Sequence, residues 1–289
     1  MDRMDARFFL SMQQHELDGA ALYEKIAVTA KKDSEREILL SISKEEFAHA
    51  AVFANYAGKK LNPRKIWVNW HAFLARVLGY TFIIKFLERG EDKNVTLYSE
   101  NIDRIPEIKQ ILADEQAHEK KLMDILDEER LHYVGDMVLG MNDALVELTG
   151  ALAGYTLAMQ NTGVIAMAGL ITGVSATLSM AASGYLSSRE AGEKNPVTSS
   201  LYTGIAYLIT VTLLIIPYLL FPKHQFMLAL GVTLLTALAI IAGFNYYIAI
   251  AKDRKFRRSF FTMAAISLGV AAISFTVGLV VKNVLGIDL

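Results

Sequence analysis

Cysteine is absent from this chain of 289 residues. Its absence excludes a disulfide scaffold, Cys-ligated zinc, iron–sulfur clusters and thiol redox chemistry. An excess of charge of one sign is also missing, because 29 Lys and Arg are balanced by 30 Asp and Glu and the formal net charge is -1. A near-neutral chain lacks the basic footprint of a nucleic-acid-binding protein, so we expect no nucleic-acid partner.

The charged residues that are present are distributed unevenly along the chain. Residues 1–130 hold 20 of the 29 Lys and Arg and 23 of the 30 Asp and Glu, whereas the rest of the chain is strongly apolar. Long charge-poor segments suit lipid, and a charge-rich segment suits water. We therefore predict two domains, a water-exposed domain at 1–130 and a membrane domain at 134–289.

Five apolar segments follow His132, and each approaches or exceeds the ~20 residues that a helix needs to cross a membrane. They run over 134–158, 162–187, 199–221, 225–250 and 259–282. The loop before the last segment holds five Lys and Arg between 252 and 258, and the positive-inside rule places such a loop in the cytoplasm. Counting back through five spans, we expect a multi-pass protein of the cell's inner (plasma) membrane. Its N-terminal domain would be cytoplasmic and its C-terminus outside.

The apolar residues of 1–130 recur with a helical period and predict four helices with core-facing stripes. In the second and fourth helix, a Glu and a His three residues apart interrupt the stripe at the same place. In the first and third helix, a single Glu interrupts it. The matched positions indicate an internal repeat of two helix pairs. The six interrupting residues are Glu16, Glu46, His49, Glu91, Glu115 and His118.

Carboxylates in a bundle core are costly to bury unless they are paired or bound to metal. Four carboxylates and two imidazoles at one level therefore predict a metal site, and this donor set suits iron or manganese. One Glu from each of two helices, with Glu-x-x-His from each of the other two, is the pattern of ferritin-like di-iron bundles. Tyr23 and Tyr98 follow Glu16 and Glu91 by seven residues, and either contact the ligands or simply fill the core.

Residues 1–130 resemble the rubrerythrin-type (erythrin) ferritin-like fold, in which the six residues above fall on the metal-ligand positions. The resemblance implies an all-α, ferritin-like four-helix bundle that binds two iron ions, or iron together with manganese. Rubrerythrins carry a further carboxylate three residues after the Glu of the third helix, and Asn94 stands at that position here.

The first apolar segment carries three carboxylates on one helical face, Asp136, Asp143 and Glu147. Ionisable residues within a span are candidates for function. Met180 in the second segment adds a soft sulfur, which favours a transition metal over Mg²⁺ or Ca²⁺. These residues predict a transport path, although Asp136 can instead lie at the membrane interface and Met180 can be core filler.

Residues 134–289 resemble the vacuolar iron transporter family, which has five spans. The matching pieces are GMNDALV at 140–146 and SMAASGY at 179–185. The two resemblances, in this order, are similar to the membrane-bound ferritin type, an erythrin domain fused to an iron transporter. They imply a homodimer with its pore between the protomers. It would export Fe²⁺, or Mn²⁺, from the cytoplasm in exchange for protons.

The main alternative is an enzyme, a membrane-anchored ferroxidase or peroxide-scavenging di-iron oxidoreductase whose spans serve as an anchor. The carboxylates of the first span favour transport, because an anchor has no need of them. Ferroxidase activity alongside transport stays open. A membrane-tethered metal sensor or store is a third interpretation, although a small bundle has no storage cavity.

The segment 66–84 holds both tryptophans of the chain, Trp67 and Trp70. It is too apolar for a helix that buries only one face. We expect it to contact a partner bundle or the membrane surface, unless it forms a wide core face.

Overall fold

The computed structural model describes residues 3–30, 32–87, 107–125, 133–252 and 254–285. Of these residues, 89% are helical and none lies in a strand. The predicted all-α class is therefore confirmed for the described residues. The chain divides into two compact units, residues 1–128 and residues 129–289.

The first unit contains five helices in its described part. They are α1 (Arg3–Ala27), α2 (Asp33–Ala57), α3 (Lys65–Leu78), a helical segment α4 at 80–87, and α5 (Glu107–Ile125). α1 packs along α2, α3 packs against α1, and α5 packs against α2. The first, second and fourth predicted helices correspond to α1, α2 and α5. The third begins within α4, but Glu91 and Tyr98 lie outside the described residues, so the ferritin-like four-helix bundle stays a prediction.

The predicted stripe residues form the core between α1, α2 and α5. Phe9 and Met12 of α1, Phe53 of α2, and Ile108 and Ile111 of α5 join in one buried cluster. Each of these residues occupies a stripe position one or two turns from a Glu that interrupts the stripe. Burial of the apolar stripe therefore carries the acidic residues into the interior with it.

The short helix α3 was not among the four predicted helices, and local backbone features set its limits. α2 ends at Gly58, which adopts a left-handed conformation with φ of 64° and allows the chain to turn. Asp18 of α1 then accepts hydrogen bonds from Arg64 N and Arg64 Nε, both at 2.6 Å, and holds the start of α3 against α1. Gly79, at φ of 94°, separates α3 from α4.

The second unit contains five helices in its described part. They are α6 (Val134–Met159), α7 (Thr162–Glu190), α8 (Pro196–Leu220), α9 (Phe226–Ala251) and α10 (Phe256–Leu285). Each overlaps one predicted span and differs from it by at most a few residues at either end. The last four are long and apolar enough to cross a membrane. The chain is thus a multi-pass membrane protein with four candidate spans, and α6 as a fifth span stays a prediction.

Helix α6 occupies the middle of the second unit. It packs against each of the other four helices of that unit. Leu145, Leu148 and Leu152 on α6 are almost completely buried. A helix that is covered by protein on several sides needs less apolar surface than a helix that faces lipid. The same helix carries Asp136, Asp143 and Glu147.

Glycines allow two pairs of these helices to approach closely. A Cβ on Gly278 of α10 would lie 2.5 Å from the carbonyl oxygen of Gly154 on α6. A Cβ on Gly173 of α7 would lie 2.4 Å from Cγ1 of Val211 on α8. Both distances are too short for a real side-chain atom, so only glycine permits these helix contacts.

We expect Gly278→Ala to lower the melting temperature of the full-length protein in lipid nanodiscs. The added methyl group collides with the backbone of Gly154, and overpacking of this kind costs about 1–3 kcal/mol. Gly269→Ala is the matched control on the same helix, because a Cβ there meets no atom within 4 Å. Thermal unfolding followed by circular dichroism measures both variants. An equal change in the two would contradict the close α6–α10 contact.

Candidate metal centre and transport residues

Three helices of the first unit bring acidic and histidine side chains to one place. Glu16 on α1, Glu46 and His49 on α2, and Glu115 on α5 offer ligand atoms that all lie within 4.8 Å of one another. Glu16, Glu46 and His49 are buried, and Glu115 is half-buried. The geometry forms a possible metal-binding group of the kind that the stripe pattern predicted.

His118 of α5 lies at the edge of the same cluster. Its Nδ1 is 3.2 Å from Glu46 Oε1 and 4.0 Å from Glu115 Oε2. The rings of His49 and His118 lie with their centroids 6.0 Å apart. Five of the six predicted ligands therefore come together, and the sixth, Glu91, lies outside the described residues.

Helical spacing brings the ligands of the cluster together, and a glycine lies beside them. Glu46 and His49 are three residues apart, so both project from the same face of α2. Gly19 lies about one turn after Glu16 on α1, and a Cβ there would be 3.6 Å from Glu46 Oε2. A Cβ there would be in ordinary van der Waals contact with the Glu46 carboxylate, so Gly19 lies directly beside this ligand.

The far nitrogen of each histidine is bound by a further carboxylate. His49 Nε2 lies 3.2 Å from Asp114 Oδ2 on α5, and His118 Nε2 lies 2.7 Å from Glu45 Oε2 on α2. A proton on Nε2 that is donated to the carboxylate leaves the lone pair of Nδ1 directed at the cluster. A carboxylate on α5 therefore orients His49 of α2, and a carboxylate on α2 orients His118 of α5.

The sequence analysis did not predict Glu45 or Asp114, although a signal was present. Each immediately precedes a cluster residue, Glu46 or Glu115, so both Glu-x-x-His motifs begin with a doublet of acidic residues. A doublet repeated at matched positions of both helices is better explained by the crossed pairs that the structure contains.

Neighbouring charges control protonation in the cluster. Burial disfavours a charged His49, but the carboxylates of Glu115, Glu16 and Asp114 outweigh it and raise the pKa of His49 to about 10. Burial also opposes ionisation of Glu45, yet hydrogen bonds from His118 and Ser41 hold the pKa of Glu45 below its usual value. The cluster therefore favours positive charge at its centre, whether this is carried by a proton or by a cation.

The donor atoms fit a metal ion by a second criterion. His49 Nδ1, His118 Nδ1 and Glu115 Oε1 are buried and make no hydrogen bond within the described part of the chain. Nitrogen and oxygen atoms that face one another without hydrogen bonds are costly to bury unless a cation binds them. The mixture of carboxylate oxygen and imidazole nitrogen suits iron or manganese.

For Tyr23 and Met180 the structure gives burial and core packing. Tyr23 is buried on α1, and its predicted partner in the repeat, Tyr98, lies outside the described residues. Met180 is partly buried on α7, where it packs against the core of the second unit. Their roles beside the metal stay predictions.

The carboxylates of α6 differ in their surroundings. Asp136 and Asp143 are half-buried, and Glu147 is exposed on the single chain. Tyr207 of α8 donates a hydrogen bond of 2.7 Å to Glu147 Oε2 and is itself completely buried. The sequence analysis did not find Tyr207, because a single tyrosine in an apolar helix has no spacing or motif to distinguish it from core filler.

We expect Glu45→Gln and Asp114→Asn each to weaken metal binding by the first unit about 10- to 100-fold, since each removes the charged group that orients a histidine. Fe²⁺ or Mn²⁺ is titrated anaerobically into the full-length protein carrying Asp143→Asn and Glu147→Gln, which restricts binding to the first unit. Glu37→Gln, exposed on α2, is the control. Unchanged affinity in both test variants would contradict the orienting role.

A family model matches part of the second unit. Residues 134–194 match the family model described as VIT family, and no curated protein matches the chain. The matched region contains α6 and α7, with Asp136, Asp143, Glu147 and Met180. It does not extend to the first unit, so the rubrerythrin-type assignment of 1–130 stays a prediction. Together with the four apolar helices, the match supports a VIT-family membrane domain and suggests a membrane transporter of metal ions such as iron.

Proposed function

We propose that the protein exports a divalent transition metal, Fe²⁺ or Mn²⁺, from the cytoplasm in exchange for protons. The observation that carries this proposal is the set of carboxylates on α6. This helix lies within the VIT match and packs against every other helix of the second unit. A helix that served only as an anchor would gain nothing from acidic residues in lipid.

Asp143 and Glu147 supply the chemistry that exchange requires. They lie one helical turn apart, so two negative charges can face one divalent ion. Protonation of both carboxylates restores neutrality when the metal leaves, and the empty site then remains uncharged within the membrane. The hydroxyl of Tyr207 donates to Glu147 and would keep this carboxylate in place through both states.

The direction of transport rests on the arrangement of basic residues. Five Lys and Arg between 252 and 258 lie between α9 and α10 and favour a cytoplasmic position for that loop. With five spans, the first unit is then also in the cytoplasm, and the C-terminus is outside. A metal-binding unit on that side meets the ion before it enters the membrane.

The first unit would act as the metal-capturing part of the exporter. In a ferritin-like bundle, Glu16, Glu46, His49, Glu115 and His118, with Glu91, would hold two iron ions, or iron with manganese. Bound iron would supply one-electron redox chemistry. The chain's own contribution is to orient each imidazole through Asp114 or Glu45 and to exclude bulk water by burying the cluster.

A second copy of the chain would complete the transport path. Glu147 is exposed on the single chain although it lies within an apolar helix. Exposure of this carboxylate to lipid would be unfavourable. In a two-fold dimer, α6 of each copy would face α6 of the other, and the carboxylates of both would line a common path.

We expect the Asp143→Asn, Glu147→Gln double variant to lose metal transport by at least about tenfold, because a neutral site cannot compensate a divalent charge. The assay uses inside-out proteoliposomes with Fe²⁺, Mn²⁺, Co²⁺ and Zn²⁺, and follows internal pH at the same time. Glu193→Gln, in the loop between α7 and α8, is the matched control. Tyr207→Phe, which removes only the hydrogen bond, should lower transport less than the double variant.

Normal metal uptake by the double variant would contradict the transport assignment. Uptake without a change of internal pH would contradict proton exchange alone. The same preparations also report metal bound to the first unit, which should be unchanged by either substitution on α6.

The second candidate function, a membrane-anchored ferroxidase or peroxide-scavenging oxidoreductase, is favoured by the buried Glu and His cluster. The two functions predict different effects of Glu46→Ala on transport and on oxidation. For an exporter with a capturing unit, this variant should lower transport at low metal concentration and leave it intact at saturating metal, since the path still loads directly from the cytoplasm. Glu24→Ala, exposed on α1, is the control.

Transport and Fe²⁺-dependent oxygen or peroxide consumption should be measured on the same Glu46→Ala sample. Transport that is unchanged at every metal concentration, with loss of oxidation, would contradict the capturing role. The anchored enzyme predicts no metal transport by the unsubstituted protein and loss of oxidation in Glu46→Ala.

A further inference from the structure

Helix α3 exposes an apolar stripe along its whole length. Ile66, Trp70, Phe73 and Val77 have side chains that are 89%, 57%, 54% and 56% exposed, respectively. Steps of four, three and four residues place all four side chains on one helical face. We call these four residues the α3 stripe. Such a continuous apolar surface is unusual on a water-soluble unit and marks a contact site.

The opposite face of α3 is already used for folding. Val68 and Ala75 are buried, and α3 packs against α1. The helix is therefore apolar on two opposite faces, and only one of them is needed to attach it to the first unit. A wide core face, which the sequence left open, does not explain the α3 stripe, because that stripe points away from the buried side.

The charged side chains of the segment that contains α3 all have the same sign, although Asp18 of α1 pairs with one of them, Arg64. Between residues 47 and 87 the chain contains six Lys and Arg and no Asp or Glu. The rest of residues 1–130 has 14 basic and 23 acidic residues, so the basic segment stands out within an acidic unit. Lys59 and Lys60 are exposed just before α3, and Lys65 and Arg76 are exposed along one edge of the α3 stripe.

We propose that the α3 stripe inserts into the headgroup region of an anionic phospholipid bilayer, with the surrounding Lys and Arg against lipid phosphates. An amphipathic helix with aromatic and aliphatic residues on one face and basic residues beside it binds such surfaces. Tryptophan is suited to this depth, where its ring is apolar and its N–H remains hydrated. The candidate spans of the second unit tether the first unit to a bilayer through the chain, which raises the local concentration of lipid.

A second copy of the chain fits the α3 stripe less well. In a two-fold contact the same patch meets itself, so the basic edges of both helices would come together. Like charges at an interface oppose association, whereas anionic lipid neutralises them. The inference concerns the attachment of the first unit to the membrane and does not depend on which metal is bound or transported.

The tryptophans provide a direct test, because Trp67 and Trp70 are the only two in the protein. Trp67→Phe leaves Trp70 of the α3 stripe as the single fluorophore. Trp70→Phe leaves Trp67, which is half-buried and lies with its ring centroid 3.9 Å from that of His71. The two variants form a matched pair on one helix, and each replaces one aromatic ring with another.

Full-length protein is reconstituted into nanodiscs that contain brominated phosphatidylcholine and about one third anionic phosphatidylglycerol. Bromine on the acyl chains quenches tryptophan only at close range. We expect at least about threefold stronger quenching of Trp70 than of Trp67, together with a blue-shifted emission for Trp70. Lys59→Gln, Lys60→Gln and Lys65→Gln in combination should reduce this quenching, and so should the omission of phosphatidylglycerol.

Two results for Trp70 would overturn the whole proposal, and a third result would refute its electrostatic part. Trp70 that is protected from aqueous acrylamide yet not quenched by bromine would be covered by protein, as in a contact between two copies. Trp70 that is open to acrylamide and unaffected by bromine would face water. Equal bromine quenching with and without phosphatidylglycerol would refute the role of the basic residues and of anionic lipid.

Discussion

Burying carboxylates away from water is the constraint to which both units of this protein respond. A carboxylate in a low-dielectric site needs a cation, a proton or several hydrogen bonds, and a helix supplies none of these from its own backbone. In the first unit, Glu16 and Glu46 are buried at the centre of the helix packing, next to His49. In the second unit, acidic residues lie on α6, the helix that contacts all the other helices around it. A positive ion would compensate the buried carboxylates of the first unit, and in the proposed function it would also compensate the carboxylates of α6.

The two units satisfy this constraint by different means, which suits different tasks. In the first unit, crossed pairs between α2 and α5 surround the cluster, since Asp114 binds His49 and Glu45 binds His118. This support holds the ligands in one geometry and favours tight binding. On α6, the described contact to Glu147 comes from one neutral hydroxyl, that of Tyr207. A carboxylate held by a single hydrogen bond suits a site that, in the proposed function, must bind its ion and then release it.

Periodicity predicted most of the described helices and five acidic and histidine residues that come together, but not the contacts between helices. The spacing of Glu46 and His49 within a stripe was visible in the sequence, because an apolar stripe and its interruptions belong to one helix. The helices α6 to α10 were predicted to within a few residues, because lipid imposes length and apolarity on each helix separately. The bonds of Asp114 and Tyr207 depend on how two helices are rotated about their axes, and no single-helix pattern contains that information. The separate helix α3 was missed because one glycine, Gly79, interrupts an otherwise continuous apolar segment.

In the proposed exporter, the carboxylates of α6 would link transport to the assembly of two copies. Asp143 and Glu147 offer carboxylate oxygens from one face of one helix, whereas Fe²⁺ or Mn²⁺ with hard ligands favours six donors around it. Within one chain, the described hydrogen-bond partner of Glu147 on a neighbouring helix is the hydroxyl of Tyr207. Carboxylates from the same helix of a second copy would approach from the opposite side, where Glu147 is exposed on the single chain. A two-fold axis beside α6 would then provide a closed coordination sphere from one short sequence motif used twice.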